Sequence, residues 1–189
     1  GTGEQGMQDA LLTCAELARI VGGRAKQVLP FSTGVIGQPL PVAKIKAVLP
    51  EAIRNLSLNN WDKAAHAIMT TDTFPKGVSK IITIAGQPIT INGISKGAGM
   101  IPPNMATMLG FIATDAKINQ ALLQKCLILA VEPSFNRITV DGDTSTNDAC
   151  VVMASGCSTA PEITADSEYY AIFVDALMSV CKQLAEAII

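Results

Sequence analysis

Apolar residues recur at a helical spacing in five separate stretches of the chain. This spacing predicts helices over 7–21, 41–56, 61–69, 118–131 and 167–188. Gly22-Gly23 is a typical stop for the first helix, and Asp166 suits the N-cap of the last. Pro41 can open the second helix, but Pro50 is expected to bend or split it, because proline lacks the backbone N–H that a helix interior uses.

In other stretches apolar and polar residues alternate, or several apolar residues follow one another, as is typical of β-strands. They predict strands in 27–37, 79–93, 107–115, 136–143 and 149–156. The second of these is a hairpin around Gly86-Gln87-Pro88, and 157–168 is the one linker-like segment. Strands and helices alternate, with a hairpin included. This order favours an α/β fold, built as an α+β layered sandwich, over a doubly wound parallel sheet.

Composition excludes two classes of protein. The chain has 189 residues, a net charge of −2 and 4% aromatic residues, so it offers neither a basic patch nor stacking side chains for nucleic acid. Mean hydropathy is +0.35, but no stretch approaches the roughly 18 to 20 uncharged apolar residues that a membrane-spanning helix needs. The apolar residues therefore indicate a well-buried core or subunit interfaces. No signal peptide is recognisable at the N-terminus.

Cysteine usage indicates a reducing compartment and no metal site. The cysteines are Cys14, Cys126, Cys150, Cys157 and Cys181. Their odd number, wide spacing and apolar neighbours predict reduced, buried thiols. The only histidine, His66, is expected to be a solvated or core residue. The segment “DGDTSTND” (141–148) lacks the glycine and glutamate of a calcium loop, and “GISKGAGM” lacks the order of a phosphate-binding loop.

Thr107, at the head of a predicted strand, raises a chemical question. An arbitrary threonine there is simply a β-former, and its hydroxyl is a poor nucleophile without a base. The chain has no Cys–His pair to supply one. The α-amine of Thr107 itself would serve, with a pKa near ~8, if the peptide bond after Ala106 were cut. Pro102-Pro103 restricts the backbone just before that bond.

Five motifs together carry a resemblance to a known family. The strongest is “KGAGMIPPNMATMLGFIATDA”, and “GTGEQG”, “STGVIG”, “TTDTFPK” and “VDGDTSTND” match in order and spacing. The chain resembles the ornithine acetyltransferases over its entire length. These are the bifunctional glutamate N-acetyltransferases of arginine biosynthesis, with a self-cleaving N-terminal-threonine-nucleophile architecture. Pro102 is a mild departure, since family members usually carry alanine or a neighbouring small residue there.

The resemblance implies a cleavage site and a nucleophile. Cleavage falls between Ala106 and Thr107, so that Thr107 becomes the N-terminal nucleophile and also contacts substrate. Residues 1–189 then form one catalytic domain, incomplete at both ends and central in a family chain about twice as long. Residues 1–106 would be a portion of the α chain, and 107–189 the start of the β chain.

Four further site residues follow from the same resemblance. Thr33 and Gly34 are implied as the pair of oxyanion-hole donors, which suits a hydroxyl beside a glycine amide in a turn. Thr70 and Lys96 are implied as substrate contacts, with Lys96 offering its charge to a substrate carboxylate. Without the motif, Lys96 would be interpreted as a solvated loop lysine.

The implied reaction is a ping-pong transfer of acetyl from N2-acetylornithine to glutamate through an acetyl-threonyl enzyme. It needs no cofactor, although acetyl-CoA serves some family members as an alternative donor. The resemblance also implies an α2β2 heterotetramer. A cytoplasmic location is expected because no transit peptide is visible, and a mitochondrial location stays open. Two alternatives remain: an N-terminal-nucleophile amidohydrolase or aminopeptidase that passes the acyl group to water, and a fragment without activity of its own.

Overall fold

A computed structural model describes residues 2–35, 37–99, 108–140 and 147–189. The chain divides into two compact units, Gly1–Asn60 and Trp61–Ile189. No helix in the described part of the chain is long and apolar enough to cross a membrane.

The first unit contains two helices that pack on each other, α1 (Gly3–Val21) and α2 (Val42–Arg54). The predicted glycine stop is confirmed, because Gly22 takes the left-handed conformation (φ 78°) and donates its N–H to Ala18. Helix α2 is also confirmed, and of the two effects expected of Pro50, a bend or a split, the split does not occur. Pro50 lies inside a helix that continues to Arg54, so the loss of one backbone donor is tolerated.

The predicted strand over 27–37 is wrong. Ala25–Gln27 form a short 3₁₀ turn, and the described residues after it have no regular structure. A strand needs a neighbour to satisfy its backbone groups, and the described part of this unit contains no other strand. Pro30 cannot donate a ladder hydrogen bond, and the apolar side chains of Leu29 and Val35 are exposed rather than packed.

The second unit is built around a four-stranded mixed sheet. Its strands lie in the order β1-β2-β3-β4; β1 with β2 and β2 with β3 are antiparallel, and β3 with β4 is parallel. The elements are α3 (Trp61–Ala67), β1 (Lys76–Ile84), β2 (Gln87–Lys96), β3 (Leu109–Thr114), α4 (Gln120–Val131), β4 (Ala149–Ala154) and α5 (Tyr169–Glu186). Helices alternate with a mixed sheet, which confirms the predicted α/β class. Each remaining predicted helix is present, as are the strands over 107–115 and 149–156.

The hairpin between β1 and β2 is confirmed with its turn moved by one residue. Ile84 pairs with Gln87, so Ala85 and Gly86 form the loop, and both have positive φ (50° and 76°). Two-residue loops of this kind match the twist of the flanking strands. Pro88 lies in β2 rather than in the turn.

The predicted strand over 136–143 is wrong where the structure describes it, and its residues 141–143 lie outside the described part. Phe135–Arg137 form a 3₁₀ turn directly after α4. The Ser134 hydroxyl donates to the carbonyl of Ala130, and the Arg137 amide donates to Ser134. These bonds curl the chain and bury Phe135 and Ile138 in the core instead of adding a strand.

Helix α5 covers one face of the sheet. The predicted inner stripe is confirmed, since Phe173, Leu177, Val180, Leu184 and Ile188 are all buried. The Asp166 cap is wrong: Glu168 precedes the helix, and its side chain makes no capping bond. A Thr164–Ser167 turn occupies the position instead. Helix α4 does have a side-chain cap, in which Asn119 Oδ1 accepts the Leu122 amide at 3.0 Å.

All five cysteines are free. Cys14, Cys126 and Cys181 are buried, as predicted, and Cys150 is half-buried. Burial raises the pKa of Cys181 to about 12, so this thiol stays protonated and unreactive. Cys157 is exposed, so the prediction of burial is wrong there. It opens the irregular segment 157–168, in which Ser158, Ala160 and Ile163 are buried but Cys157 is not.

Replacing Gly93 with alanine is expected to destabilise the fold. A Cβ at this position would lie 2.7 Å from Leu184 Cδ1 and 3.1 Å from Val180 Cγ1, so these buried side chains of α5 would have to move. Overpacking of this kind typically costs about 1–3 kcal/mol, measurable as a lower midpoint of thermal unfolding. Gly77→Ala is the matched control, because its Cβ would make ordinary contacts at 3.8 Å. Equal midpoints for the two variants would contradict the close packing of α5 on Gly93.

Candidate functional site

One end of the sheet collects segments that are far apart in sequence. Lys76 at the start of β1 pairs with Ser95, and Lys96 at the end of β2 pairs with Leu109. Leu109 in turn pairs with Ala149, the first residue of β4. The described residues that flank these strand ends are therefore brought together by the register of the sheet; they belong to 70–75, 97–99, Met108 and 147–148.

Asp72 ties two of these segments together. Its Oδ1 accepts the ammonium of Lys76 at 2.6 Å and the backbone amide of Gly97 at 2.8 Å. Its Oδ2 accepts the amide of Thr70 at 3.2 Å. Burial raises the pKa of Asp72, but the hydrogen bonds from Lys76, Gly97 and Thr70 outweigh it and hold the pKa below its ordinary value. Asp72 is therefore ionised at neutral pH.

Lys76 is the counter-ion of Asp72. The side chains of Lys76 and Asp72 are 3% and 1% exposed, so the pair is fully buried. Lys76 Nζ also donates to the carbonyl of Phe74 at 3.4 Å and lies 4.7 Å from the centre of the Phe74 ring. A buried ion pair with this many additional contacts is costly to break from one side, because an uncompensated charge would remain inside.

Lys96 is 2% exposed and is therefore not a solvated loop lysine. Burial lowers its pKa, the attraction of Asp72 and Asp148 raises it, and repulsion by Lys76 lowers it further, so that the net shift is downward. An ammonium held in such surroundings gains more from an incoming anion than a solvated one would, because little water competes for it. The position suits recognition of a carboxylate.

Asp148 connects the same sheet end to the residue that follows Thr107. Its Oδ1 accepts the backbone amide of Met108 at 2.7 Å. Its Oδ2 is buried and has no hydrogen-bond partner in the described part of the chain. Burial raises the pKa of Asp148, while the Met108 amide and the charge of Lys96 lower it, and the net shift is upward. Sequence reasoning missed Asp72 and Asp148, although both lie inside motifs that it singled out.

The structure places some of the predicted site residues at the sheet end, some in the first unit, and leaves others undescribed. At the sheet end, Thr70 is exposed and Lys96 is buried, and Asp72 hydrogen-bonds to the segments that contain them. Thr33 is half-buried in the irregular segment of the first unit, and the adjacent Gly34 is exposed, with open space where a Cβ would lie.

Thr107 and Ala106 lie outside the described residues, as does Pro102. The cleavage site and the division into chains at 106/107 therefore stay predictions, as do the roles of the other site residues. The described residues hold no group of three or more His, Cys, Asp or Glu side chains placed to bind a metal ion.

Comparison with known proteins decides the family. The model of the ArgJ family matches residues 1–189, the whole chain. The chain belongs to the ArgJ family. Among curated members, the arginine biosynthesis bifunctional protein ArgJ of Methylococcus capsulatus is 58% identical over 189 residues, and that of Pseudomonas fluorescens is 54% identical over 190 residues.

The ArgJ relatives are longer than this chain. The alignments cover all of the chain but 46% and 47% of those two proteins, so the chain spans about half their length, as the resemblance implied. A crystal structure of the arginine biosynthesis bifunctional protein ArgJ from Bacillus halodurans is 49% identical over the aligned part. That alignment covers 43% of this chain and 38% of the other, with a TM-score of 0.42.

Proposed function

We propose that the complete protein transfers the acetyl group of N2-acetylornithine to glutamate, as an enzyme of arginine biosynthesis. The observation that carries the proposal is the cluster at the sheet end. There, the buried cation Lys96 lies with Asp72 and Asp148, and Asp148 holds the amide next to Thr107. Membership of the ArgJ family over the whole chain supports it, because relatives are named bifunctional proteins of arginine biosynthesis.

In this proposal the protein first activates itself. The Thr107 hydroxyl attacks the carbonyl carbon of Ala106, the C–N bond breaks, and the α-amine of Thr107 is released as an ester forms. Water then hydrolyses the ester and leaves Thr107 at a new N-terminus. A free α-amine with a pKa near ~8 is partly neutral at cellular pH and can accept the hydroxyl proton.

Acetyl transfer then proceeds in two halves. The Thr107 oxygen attacks the acetyl carbonyl of N2-acetylornithine, the α-amine takes the hydroxyl proton and passes it to the leaving amine, and ornithine departs. The neutral amine of glutamate then attacks the carbonyl carbon of the acetyl-threonine, and the ester C–O bond breaks. The α-amine of Thr107 carries a proton from the attacking amine to the Thr107 oxygen, and N-acetylglutamate leaves. Thr33 and Gly34 are proposed to donate hydrogen bonds to the oxyanion in both halves, a contribution worth about 3–4 kcal/mol per donor.

Lys96 and Thr70 are proposed to bind the parts of the substrate that do not react. Both N2-acetylornithine and glutamate carry an α-carboxylate, and the buried Lys96 ammonium offers such a group a charged hydrogen-bond donor that is shielded from water. Binding energy gained at the carboxylate orients the acetyl group toward the nucleophile.

The deciding experiment supplies N2-acetylornithine to the complete protein with and without glutamate. With glutamate, we expect N-acetylglutamate and ornithine to form in equal amounts. Without glutamate, we expect little acetate. Acetate released at the same rate in both arms would identify an amidohydrolase and overturn the transferase proposal. If neither arm shows turnover, the transferase proposal also fails, and the alternative of a protein without catalytic activity is supported. A third arm with acetyl-CoA as donor tests the proposed second donor.

We also propose an α2β2 assembly in the cytoplasm. Ile81 of β1 and Met153 of β4 are exposed apolar side chains on the sheet, as expected of surfaces that pack against further protein. Five free cysteines are typical of a reducing compartment. Native mass spectrometry of the complete protein would detect two copies of each chain if the assembly is right, and a single pair if it is wrong.

A further inference from the structure

We propose that Asp72 is a positioning residue that holds the two substrate-binding segments, the one carrying Thr70 and the one carrying Lys96, in a fixed arrangement. The expected effect on substrate binding rests on the proposed function, whereas the hydrogen bonds of Asp72 do not depend on it. Asp72 lies between α3 and β1, while Gly97 directly follows Lys96 at the end of β2. No site role for Asp72 follows from the motif resemblance.

Besides its ion pair with Lys76, Asp72 accepts hydrogen bonds from two backbone amides. One carboxylate oxygen accepts the Gly97 amide at 2.8 Å, and the other accepts the Thr70 amide at 3.2 Å. Gly97 is itself buried, so its amide has little access to water as a replacement partner. Each amide donates to a different oxygen of Asp72, so a side chain with two acceptor oxygens is needed to bind both in this way. The hydrogen bonds of an ionised carboxylate are stronger than those of a neutral acceptor.

Lys76 makes this arrangement stable. A buried carboxylate without a cation would tend to take up a proton and so weaken its acceptor oxygens. Lys76 at 2.6 Å prevents this, and its own ammonium is held by the carbonyl of Phe74. Among the described residues at this sheet end, two basic side chains, Lys76 and Lys96, lie with two acidic ones, Asp72 and Asp148.

Two double variants of the complete protein separate positioning from simple stability. Asp72→Leu/Lys76→Met removes both charges and both acceptors with side chains of similar size, and such apolar replacements of a buried ion pair are often tolerated. Asp72→Asn/Lys76→Met also removes both charges but keeps one acceptor oxygen. Lys80→Met is the control, because Lys80 lies on the same strand and donates to Ser179 of α5 at 2.9 Å, outside the cluster.

The first readout is whether the substitutions change KM or kcat for N2-acetylornithine, with the two constants measured separately. In Asp72→Leu/Lys76→Met, KM is expected to rise about 100-fold, the size of effect that a misplacement of about 1 Å produces. In the Asn variant the rise is expected to be at least several-fold smaller, and Lys80→Met should remain within about threefold of wild type. Loss of folded protein alone would lower kcat and leave KM unchanged.

The second readout is the pH profile of kcat/KM. Among the residues that the structure describes, the charged groups that act on Lys96 are Asp72, Asp148 and Lys76, and the attraction of Asp72 exceeds the repulsion of Lys76. Removing Asp72 and Lys76 together therefore lowers the pKa of Lys96 further. The alkaline fall of activity in both double variants should move to lower pH, and Lys80→Met should not move it.

The third readout does not depend on activity. Hydrogen exchange followed by mass spectrometry should show at least tenfold faster exchange in peptides containing the Thr70 and Gly97 amides of the Leu variant. If wild type transfers no acetyl group, the proposed function fails and this measurement alone decides the role of Asp72. Unchanged exchange, or an unchanged KM in a folded and active Leu variant, would overturn the inference.

Discussion

Replacing Thr107 with alanine is expected to leave the complete protein as one uncut chain that transfers no acetyl group. The substitution removes the hydroxyl that attacks both the Ala106 carbonyl and the acetyl donor, so both reactions fail together. Loss of a covalent nucleophile lowers kcat by on the order of 10⁴-fold or more. Intact-mass measurement detects the uncut chain, and the N2-acetylornithine assay detects the loss of transfer.

Thr107→Ser is the control for this prediction. Serine keeps a hydroxyl at the same position, so a fragment that begins at residue 107 should still form, and some acetyl transfer should remain. The mechanism would be contradicted by a Thr107→Ala protein that is cut at the same bond. It would also be contradicted by an uncut alanine variant that transfers acetyl at the wild-type rate, since a free Thr107 amine is the proposed base.

Long periodic elements could be predicted from the sequence because their burial follows from their own spacing. The stripe from Phe173 to Ile188 contains enough turns of helix for its inner face to be identified, and all five of its predicted residues are buried. The strand over 27–37 shows the opposite case. An apolar run such as the one around Leu29 does not reveal whether another strand lies beside it, and here none is described.

The chemistry at the sheet end could be predicted only in part. Motif context predicted Lys96 and Thr70 as substrate contacts, which stays a prediction, but it did not point to the carboxylates of Asp72 and Asp148. The contact of Asp72 with Gly97 spans 25 positions in sequence, and that of Asp148 with Met108 spans 40. Such contacts depend on strand register, which a single sequence does not contain. Local spacing could have suggested only the Asp72–Lys76 pair, four residues apart.

Replacing Lys96 with methionine is expected to lower kcat/KM for N2-acetylornithine by about 100- to 1,000-fold. This corresponds to about 3–4 kcal/mol, within the range for loss of a buried charged contact. The folded protein should nevertheless be as stable as wild type or more stable at neutral pH. Burial lowers the pKa of Lys96 from 10.5, even with Asp72 and Asp148 attracting its charge. The folded protein therefore binds this proton less tightly than the unfolded chain, and the charged side chain costs stability below the lowered pKa.

The remaining charges can adjust to the loss of Lys96. Asp72 keeps its ion pair with Lys76, and Asp148, whose pKa is already raised by burial, can take up a proton. Lys125→Met, which removes an exposed lysine of α4, is the control and should change neither activity nor stability. Thermal unfolding and the acetyl-transfer assay together give the test. A marked fall in the unfolding midpoint of Lys96→Met, with kcat/KM unchanged once folded protein is counted, would make Lys96 a structural counter-ion for the two carboxylates rather than a binding residue.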